Sequence, residues 1–158
     1  MIYERRNAIE IGRGRQVLEH IRRDLESYVG LVFEDVVRDA LIVAKKVKGR
    51  TLDIQRIGRW WNRRGEEIDV VAQGSGEVWA GEVKWSDQPE SSALVDRLLE
   101  KISHMEGLAG KKMRPFVVCR GGLMVEACSR LERNGGFWMD LKDLEALFEE
   151  GRNGAAPH

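Results

Sequence analysis

A carboxylate and an amine stand two positions apart at the end of an apolar run, where Glu82 is followed by Val83 and Lys84. Because side chains alternate between the two faces of a strand, Glu82 and Lys84 share one face of a strand that contains them. A second acidic residue, Asp69, lies in the apolar run just upstream. Two carboxylates that meet across neighbouring strands can clamp a single cation. The spacing therefore predicts a cation site with a lysine beside it.

The two runs that carry these residues predict a hairpin. EEIDVVAQ and EVWAGEVKW both have strand-like composition, and the GSG between them is a turn signal. If two or four residues centred on Ser75 and Gly76 connect the strands, Asp69 pairs directly across from Glu82. A three-residue connection would place Asp69 opposite Gly81 and separate the carboxylates.

Both faces of this hairpin carry apolar residues. On the predicted register, Val71 and Ala80 share the face of the charged residues, and the other face is lined by Ile68, Val70, Gly81 and Val83. A sheet covered on both sides leaves buried carboxylates in need of a metal or another cation. The alternative is that the charged residues form the solvent side of an amphipathic hairpin.

A third carboxylate, Glu34, lies in the helical stretch LVFEDVVRDAL. Its neighbours Leu31, Val37 and Leu41 are apolar, which aims Glu34 partly inward. The alternative is a glutamate at the edge of the apolar stripe that pairs with Arg38 one turn on. On these residues alone, the ion pair is the simpler interpretation.

Three carboxylates and a lysine together would suit metal-assisted hydrolysis. Mg²⁺ prefers oxygen ligands and keeps positions for waters and phosphate oxygens. Such an ion lowers the pKa of a bound water and neutralises charge on a phosphoryl group. A neighbouring amine can stabilise the negative charge that develops. The set therefore predicts phosphodiester hydrolysis with Mg²⁺ or Mn²⁺ as the cofactor.

The elements that must position these residues follow from periodicity. A helical pattern runs from about residue 16 to 47, with Gly30 predicted to bend or divide it. A strand is predicted over 51–61, then the hairpin, a helix with its stripe over 94–108, the strand PFVVC, a helix over 123–133, the strand GGFWMDL and the helix KDLEALFEE. The order α-βββ-α-β-α-β-α predicts an α/β fold, with a mixed central sheet flanked by helices.

Length and composition fit one domain. The 158 residues are 42% apolar and 33% charged, which suits a single compact core. We predict a lead-in over residues 1–14, one domain over 15–150 and a flexible tail over 151–158. Because the chain has neither a long apolar run nor the apolar stretch of a signal peptide, we expect a cytoplasmic location and no membrane partner.

The charge balance does not by itself predict a nucleic-acid binder, because 26 basic and 26 acidic residues cancel. Arginines and tryptophans nevertheless cluster around Asp69. A local basic patch can bind phosphates, and aromatic rings beside it can stack on bases. The predicted DNA contacts are Arg56, Arg59, Trp60, Trp61, Arg63, Arg64 and Trp85. The alternative for the tryptophans is packing in or at the rim of the core.

These residues and the predicted element order resemble the PD-(D/E)xK nuclease superfamily, whose core is restriction-endonuclease-like. The pattern is Glu34 on the first helix, Asp69 on one strand, then Glu82, Val83 and Lys84 on the next. The resemblance implies that Asp69 and Glu82 are the main metal ligands. The backbone carbonyl of Val83 would add a ligand, and Glu34 would bind directly or through water. Lys84 would be the catalytic amine.

A narrower similarity covers about Arg6 to Glu150. YVGLVFEDVVRDAL, IGRWWNRRGEEIDVVA and GEVKW are similar to the C-terminal domain, of unknown function, of archaeal-type DEXX-box ATPases. Where that family often has GECKW this chain has Val83, which faces away from the metal on the predicted register. An ATPase module and a winged helix usually precede this domain, whereas this chain has no GxxxxGK[ST].

Two functions are therefore expected. The first is a Mg²⁺-dependent DNA endonuclease that uses Glu34, Asp69, Glu82 and Lys84. The second is a non-catalytic DNA-binding or oligomerisation domain that serves a DEXX-box ATPase. The resemblance implies DNA as a partner and an ATPase module in cis or in trans, and we also expect a homo-oligomer.

Overall fold

The computed structural model describes residues 14–44, 46–51, 53–108 and 110–154. The elements in chain order are helix α1 (Gly14–Val43), strands β1 (Lys46–Val47), β2 (Arg50–Thr51), β3 (Arg56–Trp61), β4 (Glu67–Gln73) and β5 (Glu77–Lys84), helix α2 (Ser92–Ser103), strand β6 (Lys112–Cys119), helix α3 (Val125–Arg133), strand β7 (Phe137–Met139) and helix α4 (Leu141–Gly154). This order confirms the predicted α/β fold. The small hairpin β1–β2 is an addition that the pattern did not predict.

The central sheet has five strands in the order β3-β4-β5-β6-β7. Strands β3, β4 and β5 are antiparallel neighbours, while β6 is parallel to β5 and β7 is parallel to β6. The predicted mixed sheet is thus confirmed. Because β5, β6 and β7 are parallel, their carboxyl ends meet at one edge of the sheet, where ligand sites of α/β folds commonly lie.

Helices cover both faces of the sheet. On one face, residues of α1 and α4 pack with the sheet in one apolar cluster. On the other face, residues of α2 and α3 pack in a second cluster. Strand β5 serves both, since Trp79 and Val83 belong to the first cluster and Val78 and Ala80 to the second. A Cβ added at Gly81 would lie 2.4 Å from the ring of the buried Phe116, so this ring occupies the space beside the glycine.

Two boundary predictions were wrong. Gly30 does not divide helix α1, which is continuous over 30 residues, because one glycine costs a helix only about 1 kcal/mol and packing of the following turns offsets it. The strand predicted over 51–61 begins at Arg56, since residues 50–51 pair within the small hairpin instead. Helix α4 continues to Gly154, and the flexible tail over 151–158 stays a prediction. Residues 1–13 and 155–158 lie outside the described residues.

None of the helices in the part of the chain that the structure describes is long and apolar enough to cross a membrane.

Candidate active site

A bulge in β4 sets the position of Asp69. Three steps along β4, from Ile68 to Val71, match only two steps along β3, from Gly58 to Trp60. Asp69 and Val70 of β4 therefore lie opposite a single residue of β3, Arg59. A bulge bends the strand and re-aims the side chains beside it. It also reverses the expected alternation: Ile68 packs with Val71 on the α2 side of the sheet, not on the opposite face as predicted.

The register between β4 and β5 places Asp69 beside Glu82. Val70 pairs with Gly81, which is the predicted register centred on the GSG turn. The next step would pair Asp69 with Glu82, and there the backbone ladder ends. The N–H of Val83 donates instead to Oδ2 of Asp69 at 2.8 Å. The Asp69 carboxylate thus takes the place of a backbone acceptor and is held against the end of β5.

The structure brings Lys84 to both carboxylates at the carboxyl end of β5. Its Nζ lies 3.1 Å from Oε2 of Glu82 and 3.6 Å from Oδ2 of Asp69. Burial acts to lower the pKa of Lys84, but the charges and hydrogen bonds of Asp69 and Glu82 outweigh it and raise the pKa above its ordinary value. The amine is therefore protonated at neutral pH. The protonated amine can stabilise negative charge that develops beside it.

Glu82 is buried, with 3% of its surface exposed, and it is the one charged residue of the described chain in the buried class. The alternative in which it lies on the solvent side of the hairpin is therefore wrong. Its second oxygen, Oε1, accepts a hydrogen bond from Nζ of Lys101 at 2.8 Å. Each oxygen of Glu82 is thus held by a lysine, and two such partners offset the cost of burying a charge.

Lys101 is a site residue that the sequence analysis missed. It lies on α2, and its Nζ also donates to the carbonyl oxygen of Glu67 at 2.7 Å. Lys101 follows Leu98 by three residues and Leu94 by seven, and both leucines are buried. A lysine at these spacings faces the sheet with the apolar stripe of its helix. This spacing is the sequence signal from which Lys101 could have been predicted as a site residue.

Glu34 approaches from α1 on the other face and is held by arginines. Its Oε2 lies 2.5 Å from Nη2 of Arg59 and 3.9 Å from Nη1 of Arg38. The same Nη1 of Arg38 donates to the backbone carbonyl oxygen of Asp69 at 3.2 Å. With 14% of its side chain exposed, Glu34 is aimed inward as predicted, and the alternative pairing with Arg38 is realised as well.

The pKa of Glu34 is raised above its ordinary value of 4.5, first by burial and then by the charge of Asp69, although Arg59 and Arg38 act to lower it. The folded state therefore holds the proton more tightly than the unfolded state, and the stability linked to that proton is lost as the pH rises through the folded pKa. We therefore expect Glu34→Gln to stabilise the fold at pH 7.

The stabilisation should vanish at pH values below 4.5, where wild-type Glu34 is protonated in both states. Urea unfolding of both proteins across this pH range measures it. Asp39→Asn, on an exposed position of the same helix, is the matched control. Destabilisation by Glu34→Gln at pH 7 would instead show that the contact with Arg59 outweighs burial.

One pair of acidic residues, Asp69 and Glu82, is suited to hold a hard divalent cation. Among the described residues, no group of three or more His, Cys, Asp and Glu side chains is arranged to hold a metal. Asp69 and Glu82 nevertheless converge on one ammonium group, that of Lys84. Two carboxylates suffice for Mg²⁺, because waters and phosphate oxygens complete its coordination. Glu34 lies outside this convergence, and its role as a ligand, like that of the Val83 carbonyl, stays a prediction.

Four of the predicted DNA contacts line one surface groove of about 730 Å³. They are Trp60, Trp61, Arg63 and Arg64, and the groove is completed by Asn62, Ser103, His104 and Glu106. Trp61 is 72% exposed, whereas Trp60 packs partly against the α2-side cluster. The groove borders the last turn of α2, which also carries Lys101. An exposed indole beside two arginines is suited to stacking and phosphate contact.

The other two predicted arginines lie outside this groove. Arg59 is held by Glu34 and by Glu67, whose Oε1 is 3.1 Å away. Arg56 pairs in register with Gln73 at the opposite end of β3, five residues or roughly 16 Å from Trp61. Their contact with DNA stays a prediction.

Trp85 also lies outside the groove and is engaged on its ring. Its indole packs edge-on against Phe33, with ring centroids 5.1 Å apart. The guanidinium of Arg120 lies 4.5 Å from the centroid of the same ring. These contacts match the packing alternative for Trp85, and a role in DNA binding stays a prediction.

Fold and site together define a mixed α/β domain that gathers two carboxylates and two lysines around the carboxyl end of its central strand. The chain belongs to the DUF234 family, described as archaea bacterial proteins of unknown function, whose sequence model matches residues 1–98. The chain is 39% identical over 98 residues to the uncharacterized protein MJECL04 of Methanocaldococcus jannaschii, which covers 61% of this chain and 21% of the relative. The chain thus spans about a fifth of that relative's length.

Three solved structures are similar to part of this chain. EndoMS in its apo form has a TM-score of 0.41 at 21% identity, over 56% of this chain and 40% of that one. The EndoMS-dsDNA2 complex has a TM-score of 0.41 at 19% identity, over 56% of this chain and 38% of that one. A repair endonuclease from Pyrococcus abyssi has a TM-score of 0.38 at 18% identity, over 55% of this chain and 39% of that one. Scores of this size carry no conclusion about function, which depends on the site itself.

Proposed function

We propose that this domain is a Mg²⁺-dependent DNA endonuclease of the PD-(D/E)xK type. The observation that carries the proposal is the convergence of Asp69 and Glu82 on the Lys84 ammonium at the carboxyl end of β5. Asp69 and Glu82 would hold the ion, with the Val83 carbonyl and Glu34 as further ligands. When bound, Mg²⁺ would supply Lewis acidity and an acidified water.

The chain's own residues have separate tasks in this proposal. Lys84, whose Nζ lies 3.1 Å from Oε2 of Glu82 and 3.6 Å from Oδ2 of Asp69, would place a positive charge where negative charge develops on the scissile phosphate. The Val83 N–H fixes the Asp69 carboxylate, and Lys101 fixes that of Glu82. Carboxylates held in this way are oriented before substrate arrives, which lowers the cost of reorganisation during reaction.

The substrate contact of the proposal is the groove of Trp61, Arg63 and Arg64. It borders the helix turn that delivers Lys101 to Glu82. Because the net charge of the chain is zero, attraction of DNA depends on local basic patches such as this groove, where each bound phosphate is neutralised by a nearby cation.

The experiment is a nicking assay on supercoiled plasmid and single-stranded circular DNA with Mg²⁺ or Mn²⁺. We expect cleavage that EDTA abolishes and that Glu82→Gln, which keeps the side-chain shape but removes the charge, also abolishes. Glu77→Gln is the matched control, because Glu77 lies at the other end of β5 and binds Arg114. A folded wild-type protein that cleaves neither DNA would overturn the proposal.

A second candidate is a non-catalytic DNA-binding or oligomerisation domain that works with a DEXX-box ATPase in cis or in trans. The observation that favours it is that Lys84 and Lys101 already hold both oxygens of Glu82, so the cluster is charge-compensated without a metal. This candidate predicts DNA binding or homo-oligomer formation in the absence of cleavage.

The nuclease candidate and the DNA-binding form of the second candidate both predict that DNA affinity falls with salt. Each phosphate that is neutralised contributes about 0.9 to the slope of log K against log salt. The double variant Arg63→Ala/Arg64→Ala should therefore flatten the slope by nearly two units, as measured by fluorescence anisotropy with Ca²⁺ as the cation. Arg130→Ala, on an exposed arginine of α3 that pairs with Asp96, is the control. An unchanged slope in the double variant would remove the groove from the DNA interface.

A further inference from the structure

Helix α1 has two separate apolar faces. One is buried against the sheet and includes Phe33, Val37 and Leu41. The other, the outer stripe, stays exposed and consists of Leu18, Ile21, Leu25, Tyr28, Val32 and Val36, and three further apolar residues of α1, Leu31, Ile42 and Val43, are exposed outside it. Leu18, Leu25 and Tyr28 are 67%, 58% and 65% exposed. None of these six residues is charged.

The two faces point in different directions. At 3.6 residues per turn, the outer stripe lies about 120° around the helix axis from the buried face. Glu34 and Arg38, which face the candidate active site, lie on a third side, roughly 150° from the outer stripe. A partner bound to the stripe therefore does not cover the site.

The outer stripe has the spacing of a coiled-coil seam. Leu18, Ile21, Leu25, Tyr28 and Val32 follow one another by three, four, three and four residues, which is the alternation of a and d positions in a heptad repeat. Within the described chain, every residue from 18 to 28 is exposed. This part of α1 therefore presents an uncovered apolar seam, and such seams mark interaction surfaces.

We propose that the outer stripe binds the outer stripe of a second copy of this chain, with the two α1 helices antiparallel. A heptad seam is self-complementary, as a twofold interface requires. The six residues expose on the order of 600 Å² per copy, which is below the ~800 Å² per partner of a standard interface, so flanking residues of α1 must contribute the remainder. An antiparallel arrangement opposes the helix dipoles and places the two domains, each attached to the second half of its α1, at opposite ends.

The test is the molar mass of the full chain in solution, measured by sedimentation equilibrium over a hundredfold range of concentration. Wild type should pass from 18.0 kDa to twice that mass as the concentration rises. Leu18→Lys/Leu25→Lys should remain monomeric, with unchanged circular dichroism because both positions are exposed in the monomer. Ser27→Lys adds a lysine to the same helix about 150° from the stripe and should still dimerise.

Wild type that stays at 18.0 kDa throughout would overturn the proposal, as would stripe variants that dimerise as well as Ser27→Lys. Orientation is tested with Leu18→Cys in a Cys128→Ser background. In the antiparallel dimer the two copies of position 18 are more than about 20 Å apart, so no disulfide should form between them, and ready cross-linking would overturn that arrangement. None of these measurements needs catalytic activity, so their outcome is independent of the proposed nuclease function.

Discussion

A Lys84→Ala variant should cleave DNA roughly 10²–10³-fold more slowly than wild type, which is the loss expected for one donor to a developing charge. It should bind Mn²⁺ at least as tightly as wild type, because the substitution removes a positive charge 3.1 Å from Glu82 and 3.6 Å from Asp69. Calorimetry measures the binding and the nicking assay measures the cleavage. If Lys84 has a chemical role, the Lys84→Ala variant should therefore lose cleavage while keeping its affinity for the metal.

Two comparison variants sharpen this result. Glu82→Gln should lose metal affinity and cleavage together, since it removes a ligand. Lys112→Ala, on an exposed lysine at the start of β6, should change neither. If Lys84→Ala cleaves at the wild-type rate, Lys84 has no chemical role. If wild type binds no divalent cation and Lys84→Ala only unfolds, the cluster is a buried ion-pair network and the non-catalytic function replaces the enzymatic one.

The part of the site that sequence could predict is the part that local counting determines. Strand alternation has a period of two, and the GSG turn sets where the two strands meet, so the register that places Asp69 beside Glu82 and Lys84 could be counted from the sequence. The order of helices and strands could also be predicted, because stretches with helical periodicity alternate with stretches of strand periodicity along the chain.

The remaining parts depend on pairings between distant segments. The bulge at Asp69 arises from the match between β4 and β3, and nothing in the sequence of β4 by itself shows an extra residue. Lys101 reaches Glu82 across the face covered by α2, a contact between residues 19 positions apart. The contact of Glu34 with Arg59 spans 25 positions and competes with the local pair at Arg38, so helix spacing alone gave only the local partner.

Charges from both sides of the sheet meet at this end of β5. Lys101 comes from α2, whereas Glu34 and Arg38 come from α1, and Arg38 reaches the backbone of Asp69. The buried Glu82 is thus compensated by lysines in this structure, and a divalent cation would have to compete with them. That competition gives Lys101 a measurable role in either candidate function.

Lys101→Met should destabilise the fold without metal and make the variant more responsive to Mn²⁺ than wild type. Glu82, 3% exposed, would keep Lys84 as its remaining partner, so the loss of one charged hydrogen bond should cost about 1–3 kcal/mol. For a chain of this size, that lowers the Tm by roughly 2–10 °C. A cation bound by Asp69 and Glu82 would restore about 2.7 kcal/mol at a hundredfold excess over its Kd.

Thermal unfolding with and without Mn²⁺ measures both effects. Lys111→Met is the matched control, because Lys111 Nζ donates only to the carbonyl oxygen of Gly74 among the contacts described, at 2.9 Å, and no carboxylate depends on it. Its response to Mn²⁺ should equal that of wild type. If Lys101→Met is destabilised but Mn²⁺ raises its Tm no more than that of wild type, then no metal replaces the missing ammonium. Lys101 would in that case be a structural partner of Glu82, and the acidic pair would belong to an ion-pair cluster instead of a metal site.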